Sequence, residues 1–221
     1  MEQRSPQGGR PKLDRRVART RYAIKDAFER LVVERGLDKV TVSAIAAEAD
    51  IDRKTFYAHF GSVEGLLESI ANDMVSQVLD EVDSALMPLA DKDVPEEERL
   101  SVGLREFFSA INRSVCDNYL LSRKIAEGVP ADKLLPKVLR PLERELAARG
   151  YLEDLGETMT HDQFEYLLSF ELAGMLAVYR DMVVKAEAAS LDVIPDADEV
   201  NALVGALVER GLVGLEAALG K

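Results

Sequence analysis

The chain has 221 residues, 47% of them apolar, a formal net charge of −12, one cysteine and no tryptophan. That length can bury one small core plus a larger one, and a lone Cys116 excludes an intrachain disulfide, which suits a reducing compartment. No apolar stretch approaches the roughly 20 residues that span a bilayer, and the polar segment after Met1 lacks the apolar core of a signal peptide, so a cytoplasmic location is expected.

Helix formers dominate and β-branched runs are scarce, which predicts an all-α chain. The charge is unevenly divided. Residues 1–60 carry 13 Lys/Arg against 9 Asp/Glu, a net of +4, and the remaining 161 carry 15 against 31, a net of −16. An acidic body with a basic end is repelled from phosphates in every orientation but one. Ordinary solvated surface is the simpler main reason for the acid, and it leaves the asymmetry intact.

Residues 1–14 are expected to be a flexible basic arm. Gly8-Gly9-Arg10-Pro11-Lys12 could follow a narrow minor groove, and a tail with incidental charge has the same composition. Arg15 to about Arg35 reads as the first helix, with Ile24, Ala27, Phe28 and Leu31 as its buried stripe. Gly36 is placed for a left-handed C′ cap, with Leu37 supplying the hydrophobic contact that often follows.

The stretch Thr41–Phe60, TVSAIAAEADIDRKTFYAHF, then reads as two short helices joined by a tight turn. Thr41 is a good N-cap, and Ile45, Ala46 and Ala49 give the first of them an apolar side. Asp50-Ile51-Asp52 breaks the pattern: Asp tolerates left-handed backbone, and Asp52 can cap the next helix. In Arg53–Phe60 the two phenylalanines, Phe56 and Phe60, lie one turn apart and are expected to point inward. Lys54, Thr55 and Ala58 then face away, flanked by Arg53, Tyr57 and His59. That pattern is a helix-turn-helix with Arg53–Phe60 as recognition helix. Its expected core is Ile24, Phe28, Leu31, Val42, Ile45, Phe56 and Phe60.

The run Arg19–Leu67 resembles the N-terminal domain of the tetracycline-repressor (TetR/AcrR) family of bacterial transcriptional regulators. The resemblance is carried by AIKDAFERLVVERGLDKVTV and IAAEADIDRKTFYAHFGSVEGLL, above all by the T-F-Y-x-x-F core followed by a small residue, Ser62 and Glu64. It covers about a quarter of the chain. Three positions depart from the family pattern: Asp50 stands for the usual turn glycine, Asp52 for the Ser or Thr before the recognition helix, and Val63 for a lysine after it.

Ser62 is expected to cap a long helix to about Leu86, with Leu67, Ile70, Ala71, Met74, Val75, Val78 and Val82 as its stripe. Pro88 ends it. Pro95 opens the next helix, on which Leu100, Leu104, Phe107, Phe108, Ile111 and Val115 follow the helical period. A shorter helix spans about Asn118 to Glu127. Residues 131–149 are ambiguous, because leucines recur helically while Pro136 and Pro141 must break or kink the segment.

Thr160 and Gln163 form a capping box for a helix to about Ala189, with Phe164, Leu167, Leu168, Leu172, Met175, Tyr179 and Met182 inside. Asp196 with Glu199 opens a last helix that is apolar nearly all round, as expected of a helix covered by a second chain as well as its own.

Catalysis finds no support. The two histidines, His59 and His161, have no second ligand at metal spacing, and there is no P-loop, GxGxxG or serine-nucleophile elbow, so no enzyme activity, metal or cofactor is expected. Cys116 reads as a small buried residue without electropositive neighbours.

Taken with the resemblance, the expected molecule has a basic arm (1–14), a helix-turn-helix domain (15–61) and an effector-binding and dimerisation domain (62–221). It would be a homodimeric repressor of a palindromic double-stranded DNA operator, released by a small-molecule effector of unknown identity, with no membrane partner. Arg53, Lys54 and Thr55 are the candidate base or phosphate contacts, Ala58 can meet a thymine methyl, and Tyr57, His59, Thr41 and Ser43 are candidates for phosphates. Phe107, Phe108, Tyr119, Arg123, Phe164, Phe170, Met175 and Tyr179 are candidate effector-pocket residues on the strength of the resemblance, whereas the sequence alone favours plain core for such a set. A helical adaptor that binds no DNA, or an activator of the same fold, is the competing reading.

Overall fold

A computed structural model of the chain describes residues 12–90, 94–151, 160–188, 202 and 206. Every extended element among them is helical: α1 Lys12–Arg35, α2 Val42–Glu48, α3 Arg53–Phe60, α4 Val63–Leu86, α5 Glu96–Asp117, α6 Tyr119–Gly128, α7 Ala131–Ala148 and α8 His161–Ala188. Short 3-10 turns at Leu37–Lys39 and Met87–Leu89 follow α1 and α4. Apart from residues 202 and 206, which are helical, the last helix expected after Asp196 lies outside the described residues. The chain divides into two compact units, Met1–Leu67 and Glu68–Lys221, and α4 begins in the first and continues into the second.

In the first unit α1 starts at Lys12, three residues earlier than the expected start at Arg15. It buries Ile24, Ala27, Phe28, Leu31 and Val32, and α2 and α3 close the core with Ile45, Ala46 and Phe56. Val42, counted as core from its position, is only half-buried, and Leu66 at the start of α4 is fully buried in its stead. Gly36 has a positive φ of 83°, but its ψ of 152° is not that of the expected left-handed cap. It lies instead in the extended positive-φ region that is essentially glycine's alone.

Three closely spaced backbone devices shape the second and third helices. The Thr41 hydroxyl accepts the Ala44 N–H at 3.2 Å and so caps α2. Asp50 takes the expected left-handed conformation, φ 52°, and lets the Ile51 N–H return to the Ala46 carbonyl at 3.0 Å. After α3, Gly61 turns the chain at φ 72° and Ser62 Oγ accepts the Gly65 N–H at 3.0 Å. A Cβ at Gly65 would stand 2.2 Å from the Phe60 carbonyl oxygen, so this corner closes only around glycine.

In the second unit the core gathers Val75, Val78, Leu79 and Val82 of α4, Phe107, Phe108, Ala110 and Ile111 of α5, Leu142 and Leu146 of α7, and Leu168, Leu172 and Met175 of α8. The stripe on α4 is rotated from the expected one. Leu79 is buried, while Leu67, Ile70, Ala71 and Met74 are half-buried.

The segment 131–149 is a single helix, α7, with Pro136 and Pro141 inside it. Each proline removes one backbone donor, at a cost of about 3 kcal/mol relative to a good helix former. Leu142 and Leu146, with Leu135, Val138 and Leu139 packed against the same cluster, supply a burial term of comparable size, about 1.5–3 kcal/mol for each fully buried side chain. The tertiary face outweighs the local breaks. The capping box that opens α8 forms in both directions: Gln163 Oε1 accepts the Thr160 N–H at 2.8 Å, and Thr160 Oγ1 accepts the Gln163 N–H at 3.3 Å.

Candidate nucleic-acid interface

The candidate interface lies within the first unit, on α3 and the start of α2. The carboxylate of Asp52 holds the beginning of α3 twice: Oδ1 accepts the Thr55 N–H at 2.8 Å and Oδ2 accepts the Thr55 hydroxyl at 3.0 Å. These two bonds, the backbone one first, hold the Asp52 carboxyl below the ordinary aspartate range. The far end of α3 is held by Arg21 of α1. Its Nη1 donates to the His59 carbonyl oxygen at 3.3 Å, and its guanidinium sits 4.6 Å from the centre of the Phe60 ring.

Phe56 anchors the helix from beneath, with no exposed surface and its ring edge-on to Tyr57 at 5.9 Å. Phe60, expected to be buried beside it, is only half-buried, with its ring against Arg21. One turn of helix does not keep two side chains under the same core when the core ends between them.

What remains on the outside is polar and cationic. Arg53, Lys54 and Ala58 are exposed, and Tyr57 is 48% exposed. The charge of Lys54 also favours the ionised carboxylate of Asp52 close by. Thr55 and His59 are half-buried, and the Thr55 hydroxyl is already committed to Asp52. Thr41 and Ser43 are exposed at the start of α2, the Thr41 oxygen serving as that helix's cap. Arg53, Lys54, Thr55, Tyr57, Ala58 and His59 of α3, with Thr41 and Ser43 at the start of α2, thus share the small unit, the first two of them exposed cations. Sequence reasoning missed Arg21. Its signal was available: it lies one turn before Ile24, on the rim of the α1 stripe, where a guanidinium can reach an aromatic from the neighbouring helix.

The candidate effector residues fall in the second unit and do not form one set. Phe107 and Phe108 pack edge-on at 5.2 Å within the main core, together with Met175. Tyr119 and Met182 are buried nearby against Val115, Cys116 and Tyr179. There the Tyr179 hydroxyl donates to Asn112 Oδ1, and Cys116 Sγ lies 3.7 Å from the same oxygen. Burial, with Cys116 second, pushes the Tyr179 hydroxyl upward. Asn112 is the one buried polar residue among those described, and the Tyr119 hydroxyl is buried without a hydrogen-bond partner among them. Arg123 Nε is paired with Glu127 at 3.1 Å. Phe170 is 76% exposed and stands apart from the others, and the side chain of Phe164 lies outside the described residues. Among the described residues no group of three or more His, Cys, Asp or Glu could hold a metal, and no helix is long and apolar enough to cross a membrane.

Residues 24–70 match the sequence model of "Bacterial regulatory proteins, tetR family". Two curated relatives match part of the chain. The uncharacterized HTH-type transcriptional regulator YxbF of Bacillus subtilis is 34% identical over 77 residues, which are 34% of this chain and 20% of the relative. The HTH-type transcriptional regulator AlkX of Mycobacterium tuberculosis is 31% identical over 116 residues, 52% of this chain and 51% of the relative. The chain thus spans from a fifth to about half the length of these relatives. A TetR-family regulator from Streptomyces coelicolor shares the fold over 93% of this chain and 99% of its own, with a TM-score of 0.53 and 17% identity. The matched segment covers the second half of α1, all of α2 and α3 and the start of α4, so it is this helix-turn-helix region that is similar to the tetR family of bacterial regulatory proteins.

Proposed function

We propose that the protein is a ligand-responsive transcriptional regulator that represses by binding a palindromic operator as a homodimer. The observation that carries the proposal is the outward side of α3, where Arg53, Lys54, Tyr57 and Ala58 are exposed on a helix fixed at both ends. Such a helix enters the major groove with its N-terminal residues on base edges, so Arg53 and Lys54 read guanine O6/N7 or a phosphate. Ala58 meets a thymine methyl. Thr41, Ser43, Tyr57 and His59 contribute backbone contacts, and Thr55 positions the helix through Asp52 more than it reads.

Dimerisation is supported by α8. Tyr166, Phe170, Ala173, Gly174, Ala177 and Val178 fall on one face of it and are exposed, the two aromatics at 74% and 76%. Large apolar side chains beside small residues on one uncovered stripe suit close helix–helix approach by a second copy. The effector would bind in the second unit around Phe107, Phe108, Met175 and Tyr179, with Tyr119 and Arg123 at its polar end. It acts by preferring one arrangement of the dimer while DNA prefers another.

The deciding experiment selects bound fragments from genomic DNA and measures binding by gel shift for the wild type, Arg53→Ala and Lys54→Ala. Each lost base contact is expected to cost about 1–3 kcal/mol. Operator binding that neither substitution weakens removes the proposal.

A further inference from the structure

In the second unit, arginines from neighbouring elements converge on the polar edges of α4. Arg144 of α7 donates to Asn72 Oδ1 at 2.8 Å. Arg149, the residue that caps α7, does more: Nη2 donates to Asp80 Oδ1 at 2.8 Å and to the Ser76 carbonyl oxygen at 3.2 Å, and Nη1 donates to Asp83. Gly150, at φ 83°, then turns the chain so that the Tyr151 hydroxyl donates to the other oxygen of Asp83. Asn72, Ser76, Asp80 and Asp83 follow one another by one turn and make a single edge of α4. Arg113 of α5 bridges Glu81 and Glu106 beside it.

Exposed ion pairs generally hold little. This one differs, because the Arg149 side chain is only 17% exposed and its planar fork meets two carboxylates and a carbonyl at once. The apolar stripe of α4, Val75, Val78, Leu79 and Val82, attracts the rest of the unit without direction. Directional bonds to a fixed fork decide between neighbouring registers of the same stripe.

We propose that the end of α7, Arg149 with Gly150 and Tyr151, is a latch that fixes the position of α4 along its axis. Because α4 begins at Val63 inside the DNA-reading unit, the latch sets operator affinity from a distance, and Arg149 is a positioning residue for DNA binding. This rests on the proposed function, but the latch itself can be judged without it.

The test compares wild type with Arg149→Met, Arg149→Lys and a core control on the same helix, Leu146→Ala, using operator fragments selected by the wild type. Arg149→Met is expected to speed amide exchange in residues 72–83 by about tenfold and leave α1–α3 unchanged. It should lower operator affinity by about fivefold or more with the same salt slope, since the phosphate contacts are the same. Arg149→Lys falls between, because a point charge satisfies one carboxylate but not the fork. Leu146→Ala lowers stability while keeping operator affinity within about twofold. Wild-type affinity in Arg149→Met, or an equal loss in Leu146→Ala, overturns the latch. If Arg149→Met does not fold, Asp83→Asn, altered at the more exposed end of the same bonds, takes its place in every comparison. Should the wild type select no DNA, the proposed function fails, and amide exchange alone decides: acceleration confined to residues 72–83 upholds the latch and unchanged exchange overturns it.

Discussion

The Asp52 carboxylate stands at the start of α3 with two bonds to Thr55 and full exposure to solvent. Its folded-state pKa is lowered, so the stabilisation it gives is fully present above the ordinary aspartate value of about 3.8 and is lost as pH falls through the depressed folded value. Asp52→Asn keeps a capping oxygen but cannot titrate. It is therefore expected to remove the acid-side loss of thermal stability that belongs to this residue, measured by melting between pH 2 and 5. Gly65 is constrained from the opposite direction, by space. With its would-be Cβ 2.2 Å from the Phe60 carbonyl oxygen, Gly65→Ala should destabilise the protein by about 1–3 kcal/mol in thermal melts. Tyr119 offers a contrast: its hydroxyl is buried without a partner among the described residues, so Tyr119→Phe is expected to leave stability unchanged or raise it by about 1 kcal/mol.

Helix α7 shows how far burial overrides local preference. Proline at 136 and 141 reads as a break, because each removes a donor and its ring crowds the carbonyl one turn earlier. The helix persists because Leu142 and Leu146 are buried along one of its sides. Pro136 is half-buried and Pro141 buried, so the two are not equivalent. Pro136→Ala restores the missing backbone donor at little loss of packing and is expected to raise the unfolding free energy by roughly 1–3 kcal/mol in denaturant titrations. In α3 the balance is reversed. Eight residues cannot hold a helix alone, and Phe56→Ala should cost about 3–5 kcal/mol and unfold the first unit before any DNA contact is considered. Circular dichroism with and without operator separates that outcome from loss of a contact.

At the scale of the molecule, the asymmetry of charge and the uncovered α8 face each imply an observable. Residues 1–60 carry +4 and the rest −16, so operator affinity should fall steeply and log-linearly with salt, the slope counting the phosphates neutralised. The exposed stripe through Tyr166 and Phe170 predicts a dimer in light scattering, and Phe170→Glu, which adds a charge where apolar surfaces would meet, should give a folded monomer with much weaker operator binding.

The amino-acid sequence by itself determined the elements whose signals are local. These are the caps at Thr41, Asp52, Ser62 and Thr160, the left-handed turn at Asp50, and the periodic faces that make the chain helical. Each rests on groups within about one turn of one another, so neighbouring residues suffice to specify it. Tertiary structure alone decided the continuity of α7 through two prolines, the rotation of the α4 stripe onto Leu79, the half-burial of Phe60 and the bracing of α3 by Arg21. All four depend on partners distant along the chain. Periodicity defines a face but not what covers it, and a cation's partner is set by where the fold brings it.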